Sequence, residues 1–168
     1  MTLVRTGTRQ DLERIAAIKV RTWGDTYGPL IAPEVLQPFL DHAAQLAYLR
    51  EKTRSANTIL LVAEDDERQI VGFALTFLDH GPDPWLESLH VHPEAQSRGV
   101  GTMLMRATAS EVRARGRNTL CLGVVEGNAA AERFYERLGA LDAGREPTSW
   151  ARGVMHHLYC WPALDPLA

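Results

Sequence analysis

Apolar residues near the start of the chain recur at helical spacing. Leu12, Ile15 and Ala16 form one apolar stripe, as expected for a helix that packs one face on a core. Thr8 precedes this stripe and is a good N-cap residue. The pattern therefore predicts a first helix that begins after Thr8 and ends near Trp23–Gly24.

The next segments predict two shorter helices and then a change to strand. Pro33 suits the first position of a short helix that ends before Pro38. A further helix is expected over Asp41–Arg54. Ile59–Ala63 and Ile70–Leu78 are apolar and partly β-branched, and the charged turn between them indicates a β-hairpin.

The second half of the chain alternates between strand and helix. The predicted elements are a strand over Trp85–Val91, a helix from a glycine loop to about Arg115, a strand over Thr119–Val125, a short helix from Asn128 to Gly139, and a strand over Val154–Trp161. A helix connecting two strands of one sheet makes those strands parallel. No repeat or linker interrupts this order, so residues 1–168 are expected to form a single mixed α/β domain.

Composition limits the function classes. A chain of 168 residues with 45% hydrophobic and 23% charged residues can bury a core, which excludes a disordered or fibrous protein. The net charge of −3 does not favour nucleic-acid binding, and no apolar run is long enough for a membrane span. No signal peptide is visible, and Cys121 and Cys160 are too few for a metal or disulfide framework. We therefore expect a cytoplasmic protein without a metal.

The glycine loop is the first candidate for chemistry. Gln96-Ser97-Arg98-Gly99-Val100-Gly101 lies between a strand and a helix. The free N–H groups and the positive dipole end of that helix could bind a phosphate. On the glycines alone, a plain strand-to-helix turn is an equally good explanation. A nucleotide-binding domain is disfavoured, because Leu104 replaces the third glycine of a dinucleotide fingerprint and no Gly-Lys-Ser/Thr is present.

Two segments resemble signatures of the GNAT superfamily of N-acetyltransferases. The first segment resembles the acyl-CoA pyrophosphate loop of this superfamily and reads Val91-x-Pro93 followed by Gln96-x-x-Gly99-x-Gly101. The second segment resembles the second motif of the superfamily and reads Asn128-Ala129-Ala130-Ala131-Glu132-Arg133-Phe134-Tyr135-Glu136-Arg137-Leu138-Gly139-Ala140. Trp23, Tyr27-Gly28 and Leu36 resemble the first two helices of bacterial members, so the resemblance spans nearly the whole chain.

The resemblance implies a fold and a cofactor site. The fold is α/β, with a mixed, mostly antiparallel sheet, one splayed parallel strand pair, and helices on both faces. Acetyl-CoA is expected to lie between strands 85–91 and 119–125. The implied cofactor-binding residues are Leu89, His90, Val91, Gln96, Ser97, Arg98, Gly99, Val100, Gly101, Thr102, Asn128 and Tyr135.

Acetyl transfer to an amine requires a proton acceptor and, preferably, a proton donor for the departing thiolate. The resemblance assigns the donor role to Tyr135, although packing on a helix face would also explain a tyrosine there. Glu87 is a candidate base, because strand alternation places it on one face with Leu89 and Val91. A carboxylate among apolar neighbours would have a raised pKa and suit proton abstraction. A solvated Glu at the cleft mouth is the competing explanation.

Family members with a catalytic Glu in these strands carry it at the positions of Trp85 or Gly123, and neither is Glu here. Glu126 is a weaker candidate, and water is a further possible proton acceptor. The sequence therefore leaves the base open.

Aromatic and histidine residues supply candidates for the acceptor pocket. Substrate-binding residues are expected among Trp23, Tyr27, Trp85 and Trp150. His90 and His92 are expected to be solvated at the cleft edge and not metal ligands, because no carboxylate or cysteine stands at ligand spacing. Of His156 and His157, one is expected to face the acceptor pocket and the other solvent. Cys121 is expected to be a buried small hydrophobe.

These observations predict N-acetylation of a primary amine, on a small molecule or a peptide, by direct attack in a ternary complex with acetyl-CoA. The alternative is a non-catalytic acyl-CoA-binding sensor or interaction module of the same fold. No nucleic-acid or membrane partner is expected, and a homodimer is common in the family that the chain resembles.

Overall fold

The computed structural model describes residues 1–168 and contains one seven-stranded sheet in the order β1-β2-β3-β4-β5-β7-β6. The strands are β1 (Leu3–Thr6), β2 (Thr58–Glu64), β3 (Ile70–Phe77), β4 (Trp85–Val91), β5 (Leu120–Val125), β6 (Leu141–Pro147) and β7 (Met155–Trp161). All neighbouring strands are antiparallel except β4 and β5. The predicted mixed, mostly antiparallel sheet is therefore confirmed.

Helices cover both faces of the sheet. They are α1 (Leu12–Tyr27), α2 (Pro33–Leu36), α3 (His42–Lys52), α4 (Val100–Ala114) and α5 (Ala129–Arg137). One buried cluster joins α1 and α3 to β2 and β3, with Ile15, Leu49 and Phe73 at its centre. A larger cluster on the opposite face packs α4 and α5 onto the sheet through Leu104 and Tyr135.

Three predictions about the elements were wrong. Both edge strands, β1 and β6, were missed, because β1 has only four residues and every residue of β6 is exposed. Neither strand therefore has a buried face that would produce apolar alternation. Helix α1 continues past Trp23–Gly24 to Tyr27. A helical Gly costs only about 1 kcal/mol, and the rings of Trp23 and Tyr27 are in contact across one turn, with centroids 4.9 Å apart.

The parallel strands β4 and β5 are paired at one position only. Trp85 lies opposite Cys121, and the Cys121 N–H donates to the Pro84 carbonyl at 2.9 Å. Beyond this pair the strands diverge toward Val91 and Val125. The predicted splayed parallel pair is confirmed, and it leaves a gap in the middle of the sheet.

A disulfide joins β5 to β7. Cys121 and Cys160 are directly opposite each other, with Cα atoms 4.1 Å apart, and their sulfurs are bonded. The prediction that these cysteines form no disulfide was wrong. Their separation of 39 residues along the chain carries no information about strand register. Cys121 is thus not the free, hydrophobe-like thiol that we expected.

A cluster of carboxylates holds α5 against the end of the sheet. His157 of β7 contacts Glu132 of α5 at 3.1 Å and Asp142 of β6 at 2.9 Å. The Tyr159 hydroxyl donates to Glu136 at 3.1 Å. We expected one of His156 and His157 to face the pocket and the other to face solvent. Only 13% of the His157 side chain is exposed, so His157 does not face solvent.

This cluster shifts the pKa values of its members. Burial lowers the pKa of His157, but the hydrogen bonds with Glu132 and Asp142 outweigh burial and raise it above 6.5. The pKa of Asp142 is lowered, first by the Gly144 backbone N–H and then by His157. The docking of α5 is therefore coupled to the protonation of His157.

No helix in the structure is both long and apolar enough to span a membrane.

The disulfide makes a testable contribution to stability. A native crosslink between distant positions typically stabilises a fold by about 2–4 kcal/mol, because it restricts the unfolded chain. We expect a reductant to lower the thermal midpoint of the wild-type protein but not that of a Cys121→Ser/Cys160→Ser double variant. Differential scanning calorimetry measures both midpoints. Two free thiols in the unreduced, unfolded wild-type protein would contradict the crosslink.

The His157 cluster predicts a pH-dependent stability. A histidine with a raised folded pKa stabilises the fold fully below its ordinary pKa, and this stabilisation disappears as the pH rises through the folded value. The gap in thermal midpoint between wild type and His157→Gln should therefore be larger at about pH 5.5 than at about pH 8.5. Asp142→Asn should reduce this pH dependence. An equal gap at both pH values would show that His157 is not charged in the fold.

Candidate active site

A cleft of about 530 Å³ occupies the gap between β4 and β5. Its walls come from α1, β4, the glycine loop, α4, β5 and α5. The predicted site residues on its lining are Trp23, Tyr27, Glu87, Leu89, His90, Val91, Gln96, Ser97, Gly99, Val100, Gly101, Thr102, Asn128 and Tyr135. Arg98, Trp85 and Trp150 lie outside it. Residues separated by more than 100 positions thus meet in one cavity.

The glycine loop presents free backbone N–H groups at one end of the cleft. Gly99 is the N-cap of α4 and has a left-handed φ of 78°, a conformation that glycine adopts without strain. The first hydrogen bond of the helix is from Met103 N–H to the Gly99 carbonyl. The N–H groups of Val100, Gly101 and Thr102 are therefore unpaired, and together with the helix dipole they form a site suited to an anion.

Gly101 is required by close packing of α5 against α4. A Cβ at this position would lie 3.2 Å from the Phe134 ring. The absence of a side chain lets α5 approach the loop and close one wall of the cleft. The loop is also fixed to the end of β4, because the Gln96 side-chain amide donates to the Val91 carbonyl at 3.0 Å. The anion-binding end of the cleft is thus preformed.

Asn128 caps α5 on the β5 side of the cleft. Its side-chain oxygen accepts from the Ala131 N–H at 3.3 Å, which fixes the orientation of the amide. Its NH₂ group has no partner in the protein and lies at the cleft wall. This placement permits the predicted contact with a cofactor.

Tyr135 lies on α5 and lines the cleft. Only 8% of the residue is exposed, and its hydroxyl has no hydrogen-bond partner in the protein. Burial and, to a smaller degree, the neighbouring Tyr27 raise the pKa of Tyr135 well above its usual value of 10.0. The hydroxyl therefore carries its proton at neutral pH.

Glu87 does not share a face with Leu89 and Val91, contrary to the prediction. Leu75 pairs with Ser88 and Thr76 with Leu86, so Glu87 forms a β-bulge in β4 without a partner. The extra residue reverses the alternation of side chains. Sequence periodicity cannot detect such a bulge, because it is defined only relative to the neighbouring strand.

The Glu87 carboxylate points toward helices α1 and α3. It accepts from the Tyr48 hydroxyl at 3.0 Å and from Trp85 Nε1 at 3.1 Å, so its surroundings are not the apolar ones that we expected. Lys19 lies nearby, and burial lowers the pKa of Lys19 to about 8 while Glu87 opposes that shift. The weaker candidate, Glu126, is exposed and forms a 3.0 Å ion pair with Arg145.

His90 is a partly buried core-facing residue and not the solvated residue that we predicted. Its Nε2 accepts from Trp23 Nε1 at 3.1 Å, and its ring contacts Phe73. Burial first, and then the charge of Lys19, lower the pKa of His90 to about 3. His90 is therefore neutral and fixes the position of Trp23. His92 follows β4, and its Nδ1 accepts from the Glu94 N–H.

Aromatic residues surround the end of the cleft opposite the glycine loop. Trp23 contacts Trp150 and Phe39 with ring centroids 5.1 and 5.4 Å away. Trp85 stacks on His80 and approaches His156. Trp23 and Tyr27 line the cleft, whereas Trp85 and Trp150 contact other side chains and do not line it. No group of three or more His, Cys, Asp or Glu residues is arranged to hold a metal.

Several residues near the cleft were missed by the sequence interpretation. Lys19 and Tyr48, which lie beside Glu87, were not named as candidates. His156 was considered only as one possible pocket residue, yet its ring covers Gly123 of β5, which lines the cleft. The available signal was Gly123 itself, a glycine inside an otherwise apolar strand.

The acetyltransferase (GNAT) family model matches residues 18–140. An uncharacterized N-acetyltransferase of Mycobacterium tuberculosis is 30% identical over 129 residues, which cover 77% of this chain and 82% of that protein. An L-methionine sulfoximine/L-methionine sulfone acetyltransferase of Pseudomonas aeruginosa is 27% identical and covers 64% of each chain.

Solved structures show the same fold. The PaiA N-acetyltransferase from Thermoplasma acidophilum in complex with coenzyme A has a TM-score of 0.76 at 17% identity, covering 95% of this chain and 98% of that one. YncA from Salmonella typhimurium, solved with acetyl-CoA, has a TM-score of 0.73 at 20% identity, covering 98% and 95%. The chain therefore belongs to the GNAT family of acetyltransferases and is an N-acetyltransferase.

Proposed function

We propose that this protein transfers the acetyl group of acetyl-CoA to a primary amine by direct attack in a ternary complex. The observation that carries the proposal is the cleft itself. One end presents unpaired N–H groups at the start of α4, the buried hydroxyl of Tyr135 reaches its interior, and aromatic residues surround the other end. The cleft can therefore hold one substrate toward the glycine loop and the other toward the aromatic end.

The glycine loop is suited to the pyrophosphate of CoA. The free N–H groups of Val100, Gly101 and Thr102 point toward an anion, and Gly99 leaves open space where a side chain would lie. Backbone groups of Leu89 and Val91 in the unpaired part of β4 are suited to the amides of the pantetheine arm. The Asn128 amide is proposed to contact the same arm from the β5 side.

The proposed reaction proceeds without an acyl-enzyme. The nitrogen lone pair of the neutral amine forms a bond to the thioester carbonyl carbon, and the C–S bond then breaks with its electron pair passing to sulfur. Tyr135 donates its hydroxyl proton to the thiolate and regains a proton from the new amide nitrogen. The proton of the original ammonium group passes to solvent through a base.

An amine acceptor agrees with the named relatives. One relative is named for L-methionine sulfoximine and L-methionine sulfone, and a Bos taurus relative, 30% identical over 77 residues, is a thialysine N-epsilon-acetyltransferase. The aromatic end of the cleft is suited to the apolar part of a small-molecule or peptide amine. A homodimer and a cytoplasmic location stay predictions.

Binding of acetyl-CoA is tested by Gly99→Glu. The added carboxylate would lie at the N–H groups that the pyrophosphate needs, so we expect calorimetric titration to show at least a 100-fold weaker affinity, about 2.7 kcal/mol. Gly116→Glu is a matched control, because Gly116 has the same φ of 78°, equally open space and a place at the other end of α4. Equal loss in both variants, or none in Gly99→Glu, would contradict the site.

Proton donation is tested by Tyr135→Phe. Removing the hydroxyl should lower kcat by about 10²-fold, the lower end of the range for general acid catalysis, because a thiolate is a tolerable leaving group. The Kd for acetyl-CoA should change little. Tyr159→Phe is the control for disturbing α5, since it loses the hydroxyl contacts with Glu136 and His157 and does not line the cleft. A wild-type protein that binds acetyl-CoA but acetylates no amine would favour a sensor.

A further inference from the structure

The imidazole of His156 occupies the space of a missing side chain on β5. A Cβ built on Gly123 would lie 2.3 Å from His156 Nδ1 and 2.8 Å from its Cε1. The ring therefore lies directly over the Gly123 backbone, at a position that lines the cleft. A side chain at position 123 would displace His156, so the position of the His156 ring depends on Gly123 being a glycine.

Glu146 fixes the orientation of this ring. It lies opposite His156 in the β6–β7 register, and its carboxylate is 3.0 Å from His156 Nε2. A carboxylate accepts a hydrogen bond, so the neutral imidazole carries its proton on Nε2. The lone pair is then on Nδ1, which has no partner in the protein and faces Gly123.

The surroundings of His156 favour proton transfer. The residue is 9% exposed, and the Trp85 ring lies 6.0 Å from its own ring. The charged group in direct contact with His156 is Glu146 on β6. Glu87 on β4 accepts a hydrogen bond from Trp85, and Glu126 after β5 is paired with Arg145. His156 thus has one direct carboxylate partner, Glu146.

Glu87 is less well placed for this task. Its two carboxylate oxygens already accept hydrogen bonds from Tyr48 and Trp85. Accepting a substrate proton would require it to break or share one of these bonds. Nδ1 of His156 has no such competitor, and the ring packs against Gly123, which lines the cleft from β5.

We propose that His156 is the general base of the reaction and that Glu146 is its positioning residue. The proposal rests on the proposed amine acetylation. Nδ1 takes one proton from the ammonium group of the acceptor, directly or through one water molecule, and the nitrogen lone pair released in this way attacks the acetyl carbon. The imidazolium, held by Glu146, returns the proton to solvent after the product leaves.

The test compares pH profiles of kcat/KM for three proteins. Thiol release from acetyl-CoA is followed with the fastest acceptor from a panel of amino acids, polyamines and short peptides. The wild-type profile should fall at acid pH, where Nδ1 is already protonated. His156→Gln should lose about 10²-fold at neutral pH and lack this acid limb. In Glu146→Gln the acid limb should be kept but should lie at lower pH, because the imidazolium no longer has a carboxylate partner.

Controls separate a chemical role from a structural one. The Kd for acetyl-CoA should stay within about twofold of wild type in both variants, and His42→Gln, which removes an exposed histidine on α3, should leave the profile unchanged. If His156→Gln fails to fold, the pH profile of Glu146→Gln still tests the proposal. The Glu146 side chain is half exposed, so this substitution is expected to leave the fold intact. A limb that is unmoved in Glu146→Gln and lost in Glu87→Gln would overturn the proposal in favour of Glu87.

A second measurement does not depend on turnover. Nitrogen NMR of histidine-labelled protein reports which ring nitrogen carries the proton, and we expect His156 to be protonated on Nε2 at alkaline pH. Protonation on Nδ1 would overturn the proposal and leave the acetyltransferase function intact. A wild-type protein that acetylates no amine in the panel would overturn the proposed function together with the base.

Discussion

The active cleft depends on the incomplete pairing of β4 with β5. These strands share a single register pair, Trp85 opposite Cys121, and then diverge. Backbone N–H and C=O groups that a regular sheet would pair are left without strand partners in the interior of the molecule. Such groups are stable only when water or a ligand satisfies them. An extended substrate with its own amides, such as the pantetheine arm of acetyl-CoA, is complementary to this gap.

The sequence predicted those features that depend on local patterns. The hairpin β2–β3, strand β4, the glycine loop and the Asn128 cap were all predicted, because each has its signal within a few residues. The two GNAT motifs then implied the splayed pair, which periodicity could not show. The edge strands β1 and β6 escaped detection because they bury little and thus show no alternation.

Three further features that were missed depend on the register between strands. The bulge at Glu87 exists only relative to β3, the disulfide only relative to the pairing of β5 with β7, and the placement of His156 over Gly123 only through the same pair. Each of these interactions links residues distant in sequence. This explains why the glycine-loop end of the cleft could be outlined before the structure, whereas the neighbours of Glu87 and His156 could not.

The disulfide lies at the point where the sheet divides. Cys121 is both the residue opposite Trp85 and one end of the crosslink to Cys160. Strands β5 to β7 therefore form one half-sheet, and β1 to β4 with the helices packed on them form the other. The crosslink fixes the register of β5 on β7 directly beside the one pair that joins the two half-sheets. One covalent bond therefore anchors the closed end of a gap whose lining includes both the glycine loop and Asn128.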